Sequence, residues 1–346
     1  MHMTDALVSP AVAGATGLIS GALIVVGARK IKNHAAENIV PLMGVMGAFI
    51  FAAQMINFSI PGTGSSGHIV GGVLLSALLG PWAALITLSS VLIIQCLLFA
   101  DGGLMALGCN ILNMAVSACL VAYPLVFRPL MKYPASTARL VLASVLACVV
   151  GLELGALAVT LETEASGVTA LPLQQFLLFM LPIHLPIGIG EGLATSAVLY
   201  FVQKYRPELL MHGGRPEPAG AYLSESPVTE NTPLSEPTRK QRLGKPIAVF
   251  AVLALVIGGS FSWIASSRPD GLEWSVYNVA GGTEPAADTS GGMLGLAGHI
   301  QESTALMPDY NTGFAGIIGG IIVVLVVWIL SRLLQSGKKP LSQSHE

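Results

Sequence analysis

Charged side chains are scarce in this chain, and this scarcity sets the class of protein before any motif is considered. Only 10% of its 346 residues are Asp, Glu, Lys or Arg, while 53% are hydrophobic and the mean hydropathy is +0.71. A soluble domain carries about 25% charged residues, so the composition predicts an integral membrane protein. The formal net charge of -2 provides no basic surface to neutralise phosphates, which excludes nucleic acid as a partner.

Several motifs are also missing. The four cysteines lie in apolar segments without a Cys-x-x-Cys spacing, which excludes a zinc knuckle or redox motif and is typical of small packing residues. No Gly-x-x-x-x-Gly-Lys-Ser/Thr phosphate loop occurs, so any ATP hydrolysis that drives this protein must occur on another chain. No basic segment precedes the first apolar run, where Asp5 stands instead, so we expect no cleaved signal peptide. The bulky His2 is expected to protect Met1 from removal.

Long hydrophobic runs are abundant, and about 20 apolar residues are enough for a helix to cross a bilayer. Seven candidate spans precede a polar stretch and two follow it; they are residues 11–28, 39–58, 68–80, 82–100, 104–127, 138–161, 172–203, 246–266 and 313–334. The pattern predicts an all-α integral membrane protein, with a seven-helix bundle followed by a two-helix module. The third span is short and ends at Gly80-Pro81, which is consistent with a half-helix or a tilted helix.

Lysine and arginine orient these spans, because cytoplasmic loops carry an excess of both. With the N-terminus outside, 16 of the 17 basic residues fall on the cytoplasmic side and only Arg268 falls outside. This agreement favours counting the short third span as a full crossing. Acidic residues such as Asp5, Asp101 and Asp270 then face outward, where a negative rim would concentrate cations, unless the outer loops simply lack Lys and Arg.

A change in composition divides the chain into two modules. Residues 207–245 are rich in Pro, Ser, Glu and Thr and are predicted to form a disordered cytoplasmic linker. The linker separates a seven-helix domain at 1–206 from a two-helix accessory module at 246–336. The outer loop of the accessory module, 267–312, contains Pro269-Asp270-Gly271-Leu272-Glu273 and many glycines, and no regular structure is evident there.

Met1-His2 is the first candidate site, because it places three nitrogen donors at the start of the chain. The α-amine of Met1, the amide nitrogen of His2 and its imidazole can close fused chelate rings in one plane, and a fourth nitrogen would complete the planar geometry of Ni(II) or Cu(II). His68, after a Gly- and Ser-rich loop, is the candidate fourth ligand, and Asn57, Ser59, Thr63, Ser65 and Ser66 could orient the imidazoles by hydrogen bonds. Simpler explanations are a cloning junction or incidental surface residue for His2 and an interface histidine for His68.

Other ionisable residues lie inside predicted spans, where they are candidates for function. His184 and Glu191 share one face of the seventh span, and Glu153 lies in the sixth; a structural role in holding the two helices together is the alternative. His299 in the outer loop is a candidate metal relay. Gly64-Ser65-Ser66-Gly67 also matches the Gly-x-Ser-Gly pattern of rhomboid intramembrane proteases, in which Ser66 would pair with His184.

Three segments carry a resemblance to a known family. Met1-His2-Met3, Ser66-Gly67-His68-Ile69-Val70-Gly71-Gly72 and the helix from His184-Leu185-Pro186 to Glu191-Gly192-Leu193 resemble the substrate-specific component of energy-coupling-factor transporters for cobalt and nickel. The Pro269-to-Glu273 segment with its two flanking spans resembles the small accessory subunit of the same systems, fused here behind the linker. The resemblance covers nearly the whole chain, and its most specific elements are Met1-His2 and the Ser-Gly-His loop.

The resemblance implies a transport subunit of the cell (inner) membrane that is not itself an enzyme. Its N-terminus would tuck into the bundle and bind one Ni(II) or Co(II) as transported substrate, through the Met1 amine, the His2 amide nitrogen and the imidazoles of His2 and His68. The implied partners are a transmembrane coupling subunit and cytoplasmic ATPases. The fused arrangement favours nickel over cobalt. A rhomboid-like protease and a stand-alone metal channel are the alternatives.

Overall fold

Apolar helices dominate the chain, as the long hydrophobic runs predict. The computed structural model describes residues 1–34, 39–131, 136–205, 209–210, 248–257, 266–282, 292–308 and 315–335. Except for Leu209 and Leu210, the predicted linker 207–245 lies outside the described residues. All four cysteines are buried free thiols, in agreement with a packing role.

In the first part of the chain, the described residues form a short 3-10 helix (Asp5–Leu7) and seven longer helices. They are α1 (Pro10–His34), α2 (Ile39–Gln54), α3 (Gly72–Leu79), α4 (Pro81–Phe99), α5 (Leu107–Leu130), α6 (Thr137–Ser166) and α7 (Leu173–Tyr205). Four more are described in the second part: α8 (Ala248–Ile257), α9 (Gly271–Val279), α10 (Gly292–Thr304) and α11 (Ala315–Gln335). Five of these helices, α1 and α4 to α7, are long and apolar enough to cross a membrane. The protein is therefore a multi-pass helical membrane protein.

The third predicted span is shorter than expected. Helix α3 has only 8 residues, a length of about 12 Å, so it cannot cross a ~30 Å hydrocarbon core alone. The residues before it form an extended loop, after a two-residue antiparallel pairing of β1 (Phe58–Ser59) with β2 (Ser66–Gly67). His68 lies in this loop and is only 8% exposed, so the loop carries His68 into the bundle instead of leaving it at the surface.

Helix α3 nevertheless reverses the direction of the chain. Its start lies near the end of α2, where Gln54 donates to the carbonyl of Val70. Trp82, in the first turn of α4, lies at the opposite end of α3. There the ammonium of Lys30 lies 4.1 Å from the centroid of the Trp82 ring. Helix α4 then returns to the first end, where Asp101 contacts His2. The loops that carry His2, His68 and Asp101 thus meet at one end of the bundle.

The second part packs directly against the first. Glycines allow α11 to approach α2 closely: an added Cβ at Gly47 would lie 2.8 Å from Val323. Helix α8 contacts α2 through the edge-to-face rings of Phe250 and Phe49, 5.6 Å apart. Helix α9 packs on α7 through Trp274 and Phe179 in the same arrangement, with centroids 5.5 Å apart.

The expectation that the outer loop 267–312 lacks regular structure was wrong. Helix α9 begins at a capping box, in which the Asp270 side chain accepts from the backbone N–H groups of Leu272 and Glu273 while the Glu273 side chain accepts from the backbone of Asp270. Helix α10 follows at Gly292–Thr304. The Asp-x-x-Glu spacing in the sequence is a helix-start signal that could have revealed α9, since its carboxylates satisfy otherwise unpaired N–H groups of the first turn.

Candidate functional site

The first residues of the chain fold back into the bundle and are anchored there by backbone hydrogen bonds. Met3 is fully buried. Its N–H donates to Oδ1 of Asn110 at 2.7 Å, and its carbonyl accepts from Nδ2 of Asn110 at 3.1 Å and from the N–H of Gly103 at 2.8 Å. Because Met3 is held on both sides, the positions of Met1 and His2 are fixed relative to α5 and to the loop that follows α4.

The Met1 side chain packs into the helix pair behind it. Met1 is 4% exposed, and a Cβ at Gly155 would lie 2.7 Å from its terminal methyl group. Glycine at 155 therefore makes the room that Met1 occupies on α6. Asp5 secures the segment further along, since its Oδ1 accepts from the backbone N–H of Ala106 at 3.0 Å.

Three of the four predicted nitrogen donors come together at this point. The Met1 amine lies 3.3 Å from Nε2 of His68, and the imidazoles of His2 and His68 stack with centroids 5.3 Å apart and an interplanar angle of 21°. The structure thus brings Met1, His2 and His68 into one cluster although 65 residues of chain lie between the two histidines. Within the described ranges, no group of three or more His, Cys, Asp or Glu side chains could hold a metal ion.

Two carboxylates border the nitrogen cluster. Asp270, from the second part of the chain, forms an ion pair with the Met1 amine, and its Oδ2 lies 3.9 Å from Nε2 of His68. Asp101 lies on the other side, with Oδ1 3.2 Å from Nδ1 of His2. Two of the acidic residues expected to form a negative rim thus lie next to the cluster.

Burial determines the protonation behaviour of the two imidazoles. It lowers the pKa of His68 to about 3, and the positive charge of the Met1 amine acts in the same direction. Burial also lowers the pKa of His2, against the opposing effect of Asp101. For Asp270, burial alone would raise the pKa, but the Met1 amine and His68 outweigh it and hold the pKa well below its ordinary value. Burial therefore disfavours the protonated form of both rings, and the neighbouring Met1 amine and His68 favour the ionised form of the Asp270 carboxylate.

In the described residues, the hydroxyl groups of Ser59, Thr63, Ser65 and Ser66 donate to groups other than the imidazoles, contrary to the expectation for these four. The Ser66 hydroxyl donates to the carbonyl of Arg268 at 2.8 Å, and the Ser66 N–H donates to that of Pro269, also at 2.8 Å. Ser59 donates to Ser266 at 3.0 Å. These groups instead bind the strand-like segment that leads into α9, which brings Asp270 to the Met1 amine.

Glu191 holds the loop that carries His68. It is 1% exposed, and its two carboxylate oxygens accept from the N–H groups of Val70 and Gly71 at 2.9 and 2.8 Å. In the described residues Glu191 and His184 share no hydrogen bond, and Nδ1 of His184 lies 2.7 Å from the carbonyl of Met180 on its own helix. Glu191 instead fixes the backbone two and three residues after His68.

Replacing Glu191 with Leu is expected to lower both stability and metal affinity. The change leaves two buried N–H groups unpaired, at a cost of about 1–3 kcal/mol each, and frees the His68 loop. Glu191→Gln keeps one acceptor oxygen and should have a smaller effect. Thermal unfolding in detergent and equilibrium Ni(II) titration measure both quantities, with the exposed Glu164→Leu as control. An unchanged midpoint and affinity in Glu191→Leu would contradict this role.

Of the remaining candidates, His184 lies beside the cluster, close enough to the Met1 amine and Asp270 to feel their charges. His184 packs beneath the start of α9, where a Cβ at Gly271 would lie 3.0 Å from its ring. Glu153 is half-buried on α6, and its Oε1 has no hydrogen-bond partner in the described part of the chain. His299 is exposed on α10. In the described residues Ser66 and His184 share no hydrogen bond, so the structure does not bring together a serine–histidine protease pair.

The fold and the site define a class: a multi-pass helical membrane protein whose buried N-terminus meets a histidine loop in a cluster of nitrogen donors. Residues 2–209 match the family described as the cobalt uptake substrate-specific transmembrane region, and residues 244–336 match the PDGLE domain. The chain belongs to this family of metal-uptake proteins and carries the PDGLE domain on the same polypeptide.

Named relatives extend over most of the chain. It is 30% identical to the fused nickel transport protein NikMN of Rhodobacter capsulatus over 332 residues, 91% of this chain and 89% of the relative. It is also 30% identical to the cobalt transport protein CbiM of Clostridium tetani, over 59% of this chain and 85% of the relative. A crystal structure of a transition metal transporter, 33% identical, superposes with a TM-score of 0.52 over 59% of this chain and 93% of that one.

Proposed function

We propose that this protein is the substrate-capture subunit of an ATP-driven importer of nickel or cobalt. It binds one divalent ion in a planar four-nitrogen site made by the Met1 amine, the His2 amide nitrogen and the imidazoles of His2 and His68. The observation that carries the proposal is the 3.3 Å separation of the Met1 amine and Nε2 of His68, with the His2 ring stacked beside them. The site requires Met1 to remain the first residue of the mature chain.

The donor set favours Ni(II), with Co(II) as the second choice. Four nitrogens in a plane suit Ni(II) or Cu(II), and an amide nitrogen must lose its proton to bind, which Ni(II) promotes well. Among the relatives, the fused protein is named for nickel and the shorter one for cobalt. This chain shares the fused arrangement, which supports nickel.

The proposed topology has seven membrane helices, a cytoplasmic linker and a two-helix accessory module, with the N-terminus outside. The distribution of Lys and Arg supports it, since 16 of 17 obey the positive-inside rule. The domain boundaries at 1–206, 207–245 and 246–336 lie within a few residues of the two family matches. In this orientation the nitrogen cluster lies at the end of the bundle that faces the side from which an importer takes its ion.

Import against a gradient requires partners. Because the sequence contains no phosphate loop, ATP hydrolysis is assigned to cytoplasmic ATPase subunits, connected through a transmembrane coupling subunit. A stand-alone metal channel, the competing function, would transport without them. Uptake by cells that express this chain with and without those subunits separates the two functions.

Replacing His68 with Ala is expected to reduce bound Ni(II) from one ion per chain to nearly none. The change removes the fourth nitrogen and leaves an incomplete plane. Metal analysis after equilibrium dialysis measures the content, and the absorption spectrum of the wild type should show a yellow, diamagnetic complex, as planar Ni(II) does. The exposed His299→Ala is the matched control and should keep the ion. Full retention in His68→Ala would refute the proposed site.

A further inference from the structure

A chain of buried amide groups connects His2 to the loop of His68. Gln54, the last residue of α2, donates through Nε2 to the carbonyl of Val70 at 2.9 Å. Gln95 on α4 donates through Nε2 to Oε1 of Gln54 at 2.7 Å. Oε1 of Gln95 then lies 3.3 Å from Nε2 of His2. Gln54 and Gln95 are 4% and 0% exposed, so water does not compete for these groups.

The donor and acceptor character of these groups allows only one direction for this series of hydrogen bonds. A backbone carbonyl can only accept, so Gln54 must present its amino group to Val70 and its oxygen to Gln95. Gln95 must therefore donate to Gln54 and present its own oxygen to His2. That oxygen also only accepts, so Nε2 of His2 must carry a hydrogen. The orientation of each amide thus follows from Val70 and not from an arbitrary choice of oxygen and nitrogen.

The assignment matters because the two ring nitrogens of His2 differ in what they can chelate. An ion on the His2 amide nitrogen closes a small ring through Cα, Cβ, Cγ and Nδ1. Nε2 points to the far side of the imidazole and closes no such ring. An N–H at Nε2 leaves Nδ1 as the nitrogen that binds the ion, which is the form that the planar site requires.

Asp101 fits the same assignment. Its Oδ1 lies 3.2 Å from Nδ1 of His2, so an ion bound at Nδ1 would have a carboxylate directly beside it. Asp101 is then the countercharge beside the Nδ1 bond.

We propose that Gln95 is a positioning residue for the metal ion, which, held by Gln54, keeps His2 in the tautomer whose Nδ1 is open to the ion. This inference rests on the proposed function of Met1, His2 and His68 as ligands. It adds a structural connection between two of them: the amide chain that orients His2 ends on Val70, in the loop that carries His68 and that Glu191 anchors. The two imidazoles are positioned by one continuous set of contacts.

The test replaces Gln95 with Met, which keeps the length of the side chain and removes its hydrogen bonds. Loss of a group that orients a metal ligand costs about 10–100-fold in metal affinity, and we expect Ni(II) affinity to fall by that factor. Gln95→Glu keeps an oxygen that accepts from Nε2–H but loses the donor to Gln54, so its affinity should lie between those of Gln95→Met and the wild type. Gln54→Met should weaken binding in the same direction, because Gln95 then loses its orientation. Thr87→Val, which removes a buried hydrogen bond on the same helix, is the control.

The readouts separate a positioning role from a general defect. Ni(II) titration and the absorption spectrum of the bound ion report on the site, whereas thermal unfolding reports on the bundle; a merely structural role would not be rescued selectively by Glu. Wild-type affinity and spectrum in Gln95→Met, with ion binding lost in His2→Ala, would overturn the inference and leave the proposed function intact. Full Ni(II) binding by His2→Ala would instead overturn the proposed function. If Gln95→Met does not fold, Gln54→Met decides: unchanged affinity there overturns the inference.

Discussion

A chain extended by one alanine before Met1 is expected to lose stoichiometric nickel binding and metal uptake. The extension converts the Met1 amine into an amide, which has no lone pair available for the ion without losing a proton. It also removes the positive charge that pairs with Asp270 and adds a residue where Met1 is 4% exposed. The loss should therefore exceed the about 10–100-fold decrease that follows removal of a group that only orients a ligand.

Equilibrium dialysis with Ni(II) and uptake by cells that express the complete transporter measure this effect. The matched control adds the same alanine after Glu346, at the other end of the chain. Both proteins should have the same helix content by circular dichroism. Normal nickel binding by the N-terminally extended chain would eliminate the amine as a ligand and with it the planar site.

Replacing Gly103 with Ala is expected to displace the N-terminal segment and to reduce nickel binding to a small fraction of one ion per chain. A Cβ at this position would overlap the carboxylate and the backbone nitrogen of Asp5, and backbone cannot yield as a flexible side chain can. The Gly103 N–H also donates to the carbonyl of Met3 at 2.8 Å. A shift of this loop therefore moves Asp5 and Met3, the two residues that hold Met1 and His2 in position.

The effect should be confined to the site. Helices α4 and α5 on either side of the loop keep their own packing, so helix content and detergent-extracted yield should match those of the wild type. Gly14→Ala on α1 is the control, since nothing lies within 4 Å of an added Cβ there. Unchanged nickel binding by Gly103→Ala would show that the N-terminal segment does not need the position seen in the structure.

The large features of the fold were predictable because they depend on local physical chemistry. The low charge content and long apolar runs demand helices that satisfy their own backbone hydrogen bonds in lipid, and helices α1 and α4 to α7 follow the predicted spans closely. Helix α3 was harder, because a hydrophobic run of about a dozen residues looks the same whether it is helical throughout or begins as an extended loop. The short loop-plus-helix arrangement depends on Glu191, far away in sequence, which binds the backbone of Val70 and Gly71.

In the second part of the chain, too, some features were predictable from the sequence and others were not. Its two apolar runs were recognised, but α9 was missed because its 9 residues present only a short apolar face, although the Asp270–Glu273 capping box marks its start. The docking of this part also depends on contacts between distant residues. Ser66 binds Arg268 and Pro269, so the serines near His68 hold the accessory module instead of the imidazoles.

The sequence by itself determined the class of protein, the helical architecture and the candidate ligands Met1, His2 and His68, because hydrophobicity and donor chemistry are properties of the residues themselves. Only the tertiary structure decided that the Met1 amine and His68 approach to 3.3 Å, that the carboxylates of Asp270 and Asp101 lie next to Met1 and His2, and that Gln95 faces His2. These contacts join residues up to 269 positions apart, and such distances close only when packed helices bring their ends together.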